Sequence, residues 1–335
     1  MSASVMSSSA SAGGRVVALC GGVGGAKLAL GLQSVLGPEL HIVVNMADDF
    51  RHLGLHVSPD LDTVLYTLGG LSDRQRGWGR ADESWNFMAA LAQVGGETWF
   101  ALGDRDLALH VERTRRLAAG ESLTRIAADI AARFGLTAQV LPVTDDPIRT
   151  IVVTPDEELA FQRYFVARRC EPAVRAIRFD GAAEARLSAA VQAALQRAGL
   201  RMIVICPSNP FLSIDPVLAV PGLREALRAA GVPIVAVSPL VGGQAVKGPT
   251  RKIMDELGVE ASTRAIAAHY RGLIDGLVLD IGDAAEADAV DVPVQAVPTL
   301  MTDDASKVKL AEDVLAFGDR LAASPQQSAH RDARS

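Results

Sequence analysis

Residues 15–45, RVVALCGGVGGAKLALGLQSVLGPELHIVVN, decide the reading of the fold. The run 15–20 is short and apolar, five residues follow of which four are glycine, and 26–36 carries helical periodicity. The run 41–45 is apolar again. Strand, glycine loop, helix, strand is the opening of a doubly wound α/β fold. The glycines uncover backbone N–H groups at a helix N-terminus, where the helix dipole favours an anion. The spacing matches neither common phosphate fingerprint. A P-loop sets Gly-Lys-Ser/Thr together, but Ala26 separates Gly25 from Lys27 and Leu28 follows. A dinucleotide fingerprint would put a third glycine at Lys27 and an acid at the end of the second strand, where Asn45 stands. Both departures argue against an NAD-dependent dehydrogenase. The phosphate logic survives, with Gly21, Gly22, Val23, Gly24 and Gly25 offering backbone donors and Lys27 a counter-charge. The alternative is a tight turn with no ligand, but four glycines exceed what a turn requires.

Working outward, the 335 residues are about what one large α/β domain with an insertion uses. Hydrophobic residues make up 49% and charged ones 21%, which implies a large core. Aromatics are sparse while Ala, Val and Leu abound, as suits helices packed on a parallel sheet. The net charge is −6 and there is no basic stripe, so no nucleic-acid partner is expected. A small anion is the expected charged ligand. Cys20, Cys170 and Cys206 are far apart and odd in number, which points to a reducing cytoplasm rather than a disulfide framework or a zinc site. No apolar run approaches the length of a membrane span. Residues 1–14 lack the apolar stretch of a secretory signal and read as a disordered Ser/Ala/Gly leader.

Further strands are expected at 202–206, 233–237, 276–280 and 294–297, and helices at 183–199, 223–231, 250–258, 263–271 and 306–321. Residues 15–70 and 181–321 then form the core, and 322–335 a polar tail. Between them, 82–93 and 105–134 read as helices. Residues 148–153 and 159–166 alternate like antiparallel strands about the turn Thr154-Pro-Asp-Glu157. The expected architecture is α/β, a Rossmann-like, doubly wound, mostly parallel sheet in three αβα layers. A mixed helical and antiparallel insertion, 71–180, would cover the carboxyl edge of the sheet.

Six further motifs stand at strand ends or helix starts. Asp48 and Asp49 follow the second strand, at the edge where open α/β folds bind ligands. In Ser58-Pro-Asp-Leu-Asp-Thr63, Ser58 suits an N-cap, Pro59 a first turn and Asp60 the helix dipole. Asp49 and Asp62 have no such structural excuse, and hard carboxylate oxygens beside a diphosphate suit Mg²⁺. In Leu102-Gly-Asp-Arg-Asp106, Asp104 or Asp106 could cap a helix, while Arg105 could grip a phosphate bidentately. Ser208 and Asn209, in Cys206-Pro-Ser-Asn-Pro210, offer polar groups at the sheet edge or merely a proline-braced turn. In residues 238–249, Gly242, Gly243 and Gly248 free backbone donors and Lys247 adds charge. Residues 300–304 read as the cap of the last helix.

Taken in order, Gly-Gly-Val-Gly-Gly-Ala-Lys-Leu, Asp-Asp, Ser-Pro-Asp-Leu-Asp-Thr, Gly-Asp-Arg-Asp, Pro-Ser-Asn-Pro and Lys-Gly-Pro resemble the CofD family, phospholactate transferases of coenzyme F-420 biosynthesis. The resemblance covers about residues 16–321. It implies that the ribityl hydroxyl of the deazaflavin Fo attacks a guanosine-diphospho-activated three-carbon acid, with Mg²⁺ present and GMP leaving. Carried over by motif, Asp49 and Asp62 would hold the metal or orient the hydroxyl. The glycine loop, Ser208, Asn209, Lys247 and Gly248 would hold the guanosine diphosphate portion. Asp48, Ser58, Asp60, Thr63 and Arg105 complete the expected substrate contacts. Some members carry a lysine just before Leu-Gly-Asp-Arg-Asp as a deazaflavin contact. Ala101 stands there in this chain, so no such role is carried over. The acid, lactyl, enolpyruvyl or glyceryl, stays open, and a homodimer is expected. The rival reading is a CofD-like nucleotide-sugar-binding regulator without transferase activity.

Overall fold

The computed structural model describes residues 13–196, 198–245 and 249–324. Seven parallel strands form the central sheet: β1 (Arg15–Cys20), β2 (Leu40–Val44), β3 (Gln139–Pro142), β4 (Leu200–Ile205), β5 (Ile234–Val237), β6 (Gly276–Asp280) and β7 (Val294–Val297). Their spatial order is β3-β2-β1-β4-β5-β6-β7. The order reverses between β1 and β4, so the two connections leave in opposite directions and open a crevice beyond the carboxyl ends of those strands. β1, β5 and β6 are buried on both faces, which is why they read as unbroken apolar runs rather than alternating ones.

The longer helices are α1 (Gly22–Leu36), α2 (Pro59–Leu68), α3 (Asp104–Ala118), α4 (Leu123–Arg133) and α5 (Asp304–Ala323). α1 packs between α2 and α5. The crossing with α5 is close because residue 31 is glycine: a Cβ there would stand 2.1 Å from the carbonyl oxygen of Lys307. Asp303 and Ser306 form a capping box that starts α5, as its sequence suggests.

The sheet's edge strand β3 lies inside the 71–180 stretch and is absent from the strands read in the sequence. It is four residues long, begins on an exposed glutamine and ends on proline, which an edge tolerates. The helical run 105–134 is broken by Gly120 at φ +86°, and Ser122 caps α4 by accepting from the Arg125 N–H. The run 183–199 keeps only Ala189–Ala194 as α-helix. Arg149–Val153 does pair antiparallel with Glu158–Ala160, and Ala176–Asp180 adds a third strand. The expected strand 159–166 ends at Ala160, and Arg163–Ala167 coils into a π-helical turn. The reason is packing: Phe161 and Tyr164, three apart, both enter a small second core with Val152, Val174, Leu212 and Ile253. A strand would send them to opposite faces. Residues 322 and 323 belong to α5. Leader residues 1–12 and tail residues 325–335 lie outside the described residues.

Candidate functional site

A cavity of about 550 Å³ opens at the crevice beyond β1 and β4. The glycine loop and Pro207–Asn209 line its inner end. Pro59, Asp60, Asp62 and Thr63 on α2 form one side, and Phe100, Trp78, Phe161 and Phe165 an aromatic outer wall.

The glycines have internal reasons that the sequence hid. A Cβ at Gly21 would lie 2.6 Å from Asp60 Oδ2, at Gly24 2.5 Å from the Pro207 carbonyl oxygen, and at Gly25 2.3 Å from Ser208 Oγ. Gly22 holds φ +63°, a left-handed conformation that favours glycine. Four glycines are therefore what this strand–helix junction needs, and their number is not by itself a sign of a ligand. Gly25 does not line the cavity; Gly21, Gly22, Val23 and Gly24 do. Ser208 Oγ donates to the Gly21 carbonyl at 2.8 Å and accepts from its N–H at 3.2 Å, stapling the β1 and β4 ends together. The Gly22 N–H donates to Asp60 Oδ1 at 2.8 Å. The N-cap residue Gly21 has no side chain to cap α1, and the amides of its first turn have no intrahelical partner. Val23 and Gly24, in that turn, line the cavity with the helix dipole behind them. Lys27 lines the cavity too, its Nζ donating to the Met301 carbonyl at 3.0 Å.

Three carboxyls share a desolvated corner. Burial pushes Asp60 up to about 6, against the pull of donors from Asn45 and Gly22. Asp48 is pushed well above the usual carboxylate range, first by burial and then by the charge of Asp60. Its Oδ1 is buried and has no hydrogen-bond partner, although Thr150 and Asn45 stand near enough to favour the ionised form. Asp49 is raised by burial, opposed by the hydrogen bond with His56. Asp48 and Asp60 line the cavity; Asp49 does not. Asp49 Oδ2 meets His56 Nε2 and the Ser58 hydroxyl, each at 2.8 Å. Ser58 therefore does not cap α2 as expected. Its position is right, but its hydroxyl donates to Asp49, and Asp60 serves α1 rather than its own helix.

Asp62 lines the cavity but is not a free carboxylate. Both oxygens accept from the guanidinium of Arg113, a side chain with no exposed surface. Beside this pair, His110 Nε2 lies 3.3 Å from Asp106 Oδ2, and the Tyr66 hydroxyl donates to Asp106 Oδ1 at 2.6 Å. Burial works against the Asp106 charge, but its contacts with His110 and Tyr66 outweigh that and hold its carboxyl below the usual range. Asp62, Asp106 and His110 bring potential metal-ligand atoms within 4.8 Å of one another, the one such group among the described residues. Asp49 and Asp62 are not in one such group, and the Arg113 cation sits against Asp62. The sequence reading missed Tyr66, His110 and Arg113. The legible signal was the spacing 106, 110, 113, which sets three polar side chains on one face of α3.

Several expected contacts have other duties. Arg105 is half-exposed, 3.9 Å from Asp82 and outside the cavity lining. Neither Asp104 nor Asp106 caps α3; the Glu83 carboxylate does, accepting from the amides of Arg105 and Asp106. Asp104 accepts from the amides of Asn86 and Phe87 at the start of the preceding helix. Asn209 lines the cavity, but its Oδ1 caps the turn Pro210–Ile214 and its Nδ2 donates to Thr250. The amides of Gly242 and Gly243, expected to be free for a ligand, donate to the buried Asp283 carboxylate. Lys247 and Gly248 lie outside the described residues.

Among the described residues, Asp48 Oδ1 and Asp49 Oδ1 are both buried carboxylate oxygens without a hydrogen-bond partner, and of the two residues Asp48 lines the cavity, as Asp60 does. Magnesium takes one or two carboxylates plus phosphate and water, and two desolvated carboxyls at a phosphate-type helix N-terminus supply that donor set.

Fold and cavity together define a Rossmann-like α/β protein with a carboxylate-lined cavity at a helix N-terminus, at the switch point of its sheet. Residues 16–312 match the family model described as 2-phospho-L-lactate transferase CofD. The chain belongs to the CofD family, and is thereby a transferase of coenzyme F-420 biosynthesis acting on small molecules. It is 41% identical over 318 residues to the phosphoenolpyruvate transferase of Kitasatospora aureofaciens, covering 92% of this chain and 98% of that one. Similarity to the phosphoenolpyruvate transferase of Streptomyces griseus subsp. griseus is 40% over 319 residues, 92% and 100% covered. The phosphoenolpyruvate transferase of Mycobacterium tuberculosis is 41% identical over 315 residues. A crystal structure of a UPF0052 family member from Bacillus halodurans superposes with a TM-score of 0.58 at 16% identity, covering 90% of this chain and 99% of that one, a likeness of fold. No helix among the described residues is long and apolar enough to cross a membrane.

Proposed function

We propose that this chain transfers the phospho-acid moiety of a guanosine-diphospho-activated three-carbon acid to the ribityl hydroxyl of the deazaflavin Fo. The acid is the enolpyruvyl one. What carries this choice is identity near 40% over almost the whole chain to relatives named phosphoenolpyruvate transferases. In the reaction the hydroxyl oxygen forms a bond to the phosphorus next to the acid. The bond from that phosphorus to the bridging oxygen breaks, GMP departs with that oxygen, and the hydroxyl proton is lost. Such transfers ask a protein for positioning and charge neutralisation more than covalent chemistry.

The diphosphate belongs at the first turn of α1, near Lys27. Asp60 already occupies part of that helix end, so two anions would meet there. Asp48 and Asp60 would hold Mg²⁺ here, which would supply the charge that lets both anions stay. The metal role thus passes from the expected pair, Asp49 and Asp62, to their neighbours. Asp49 fixes the 48–58 loop through His56 and Ser58. Asp62, paired with Arg113, and Asp106, held below the usual carboxylate range by His110 and Tyr66, both line the cavity; they accept hydroxyls of the ribityl chain and orient the attacking one. The aromatic outer wall takes the planar ring.

The test is direct. The protein is mixed with Fo, Mg²⁺ and equal amounts of the lactyl, enolpyruvyl and glyceryl diphosphoguanosines, and the products are read by mass spectrometry and GMP release. The enolpyruvyl product should dominate. A dominant lactyl or glyceryl product overturns the donor assignment, and no GMP with any donor overturns the transferase reading.

A further inference from the structure

We propose that Gln162 reads the lactam edge, a C=O beside an N–H, of a planar heterocycle held in the cavity. Gln162 lines the cavity, is only 6% exposed, and its side chain makes no hydrogen bond among the described residues. The amide bonds no other group of the protein among the described residues at the cavity wall, and a ligand that supplies both an acceptor and a donor pairs with it there. The amide itself offers one carbonyl and one NH₂ group, the complement of a lactam.

Its surroundings fit a flat ligand. Phe161 precedes it and Phe165 follows, their rings 5.4 Å apart and 22° from parallel, and both line the cavity. The π-helical turn that begins at Arg163 sets these three side chains toward one space, and such turns are frequent at functional sites. The turn is braced from behind. Tyr164 is fully buried with its hydroxyl 3.2 Å from Lys252 Nζ, and Lys252 also donates to the Pro172 carbonyl and to Glu256. Arg163 points elsewhere, its guanidinium 4.1 Å from the Trp99 ring centre. Gln162 is thus fixed in place without being used by the protein.

Two heterocycles of the proposed reaction carry a lactam edge, guanine and the pyrimidinedione of the deazaflavin, so this inference rests on the transferase reading for its ligands. The experiment separates them. Fo binding is followed by its fluorescence and GDP binding by calorimetry with Mg²⁺, in wild type, Gln162→Leu and Gln162→Glu. Gln162→Leu should weaken one ligand by roughly tenfold and leave the other within about twofold. Gln162→Glu should weaken that same ligand. The melting temperature of Gln162→Leu should stay level or rise, because an unpartnered amide is replaced by an apolar group. Both ligands unmoved, both weakened alike, or a clear fall in melting temperature overturns the inference. Failure of the transferase reading looks different: wild type itself then binds neither Fo nor GDP, and the inference falls with it.

Discussion

Asp60 meets the Gly22 amide, the Asn45 side chain and the field of two other carboxyls in one buried corner. Its folded-state value near 6 lies above the ordinary 3.8. Between those values the folded chain binds a proton that the unfolded chain has released, so stability from this group falls as pH rises through that window. Above about 6 the whole penalty stands, and a bound divalent cation offsets it. Thermal melts should therefore show Mg²⁺ stabilising the protein at pH 7.5, with a smaller effect at pH 5, and Asp60→Asn should remove most of the pH 7.5 shift. An equal Mg²⁺ shift at both pH values would refute this. Arg113 and Asp62 give a second residue-scale test. Arg113→Met strands a buried carboxylate and should cost about 3–5 kcal/mol in urea unfolding. Arg113→Met with Asp62→Leu should recover most of it, since a buried ion pair is replaceable by apolar packing. For the same reason Asp62→Asn disturbs stability as well as turnover, and Asp60→Asn probes the chemistry more cleanly. The aspartates were legible as a group in the sequence. Which of them face the ligand was not, because their partners sit as far off as Arg113, 51 residues along the chain.

At the scale of elements, the β1–α1–β2 unit was legible because doubly buried strands read as apolar runs and glycines punctuate them. The strand β3 and the π-helical turn were not. The first is too short for a period to show, and the second is set by which side chains the small second core admits. The α1–α5 crossing gives a prediction of its own. Gly31→Ala drives a Cβ into the backbone of α5 at Lys307, which cannot rotate away, and should cost about 1–3 kcal/mol by thermal or urea melts. Gly25→Ala meets the side chains of Ser208 and Cys20, so part of its strain can relax and its loss should be the smaller. The reverse order would show that α1 is free to shift along α5 and not along the β4 loop.

For the molecule as a whole, the site exists only where the loops after β1, β2, β4, β5 and β7 converge with residues of the 71–180 stretch. Diphosphate and metal share the α1 N-terminus with Asp60, so each should strengthen the other. By calorimetry at pH 7.5, GDP affinity should rise at least about tenfold on adding Mg²⁺, a coupling within the usual range. Asp48→Asn should shrink that gain. Mg²⁺-independent GDP binding would mean the phosphates lie away from the carboxyl corner. The sequence by itself determined the α/β class, the glycine-loop junction and the strand ends that bear polar residues, because burial and turn chemistry are written locally, in runs and periods. Only the tertiary structure decided what each polar group does. It gave the glycines to close packing, the Ser58 hydroxyl to Asp49, the Gly242 and Gly243 amides to Asp283, and Asp62 to Arg113. It left the buried Asp48 Oδ1 without a hydrogen-bond partner and set Asp48 and Asp60 in the cavity wall. Hydrogen bonds and desolvation depend on neighbours brought from distant parts of the chain, and no local pattern specifies them.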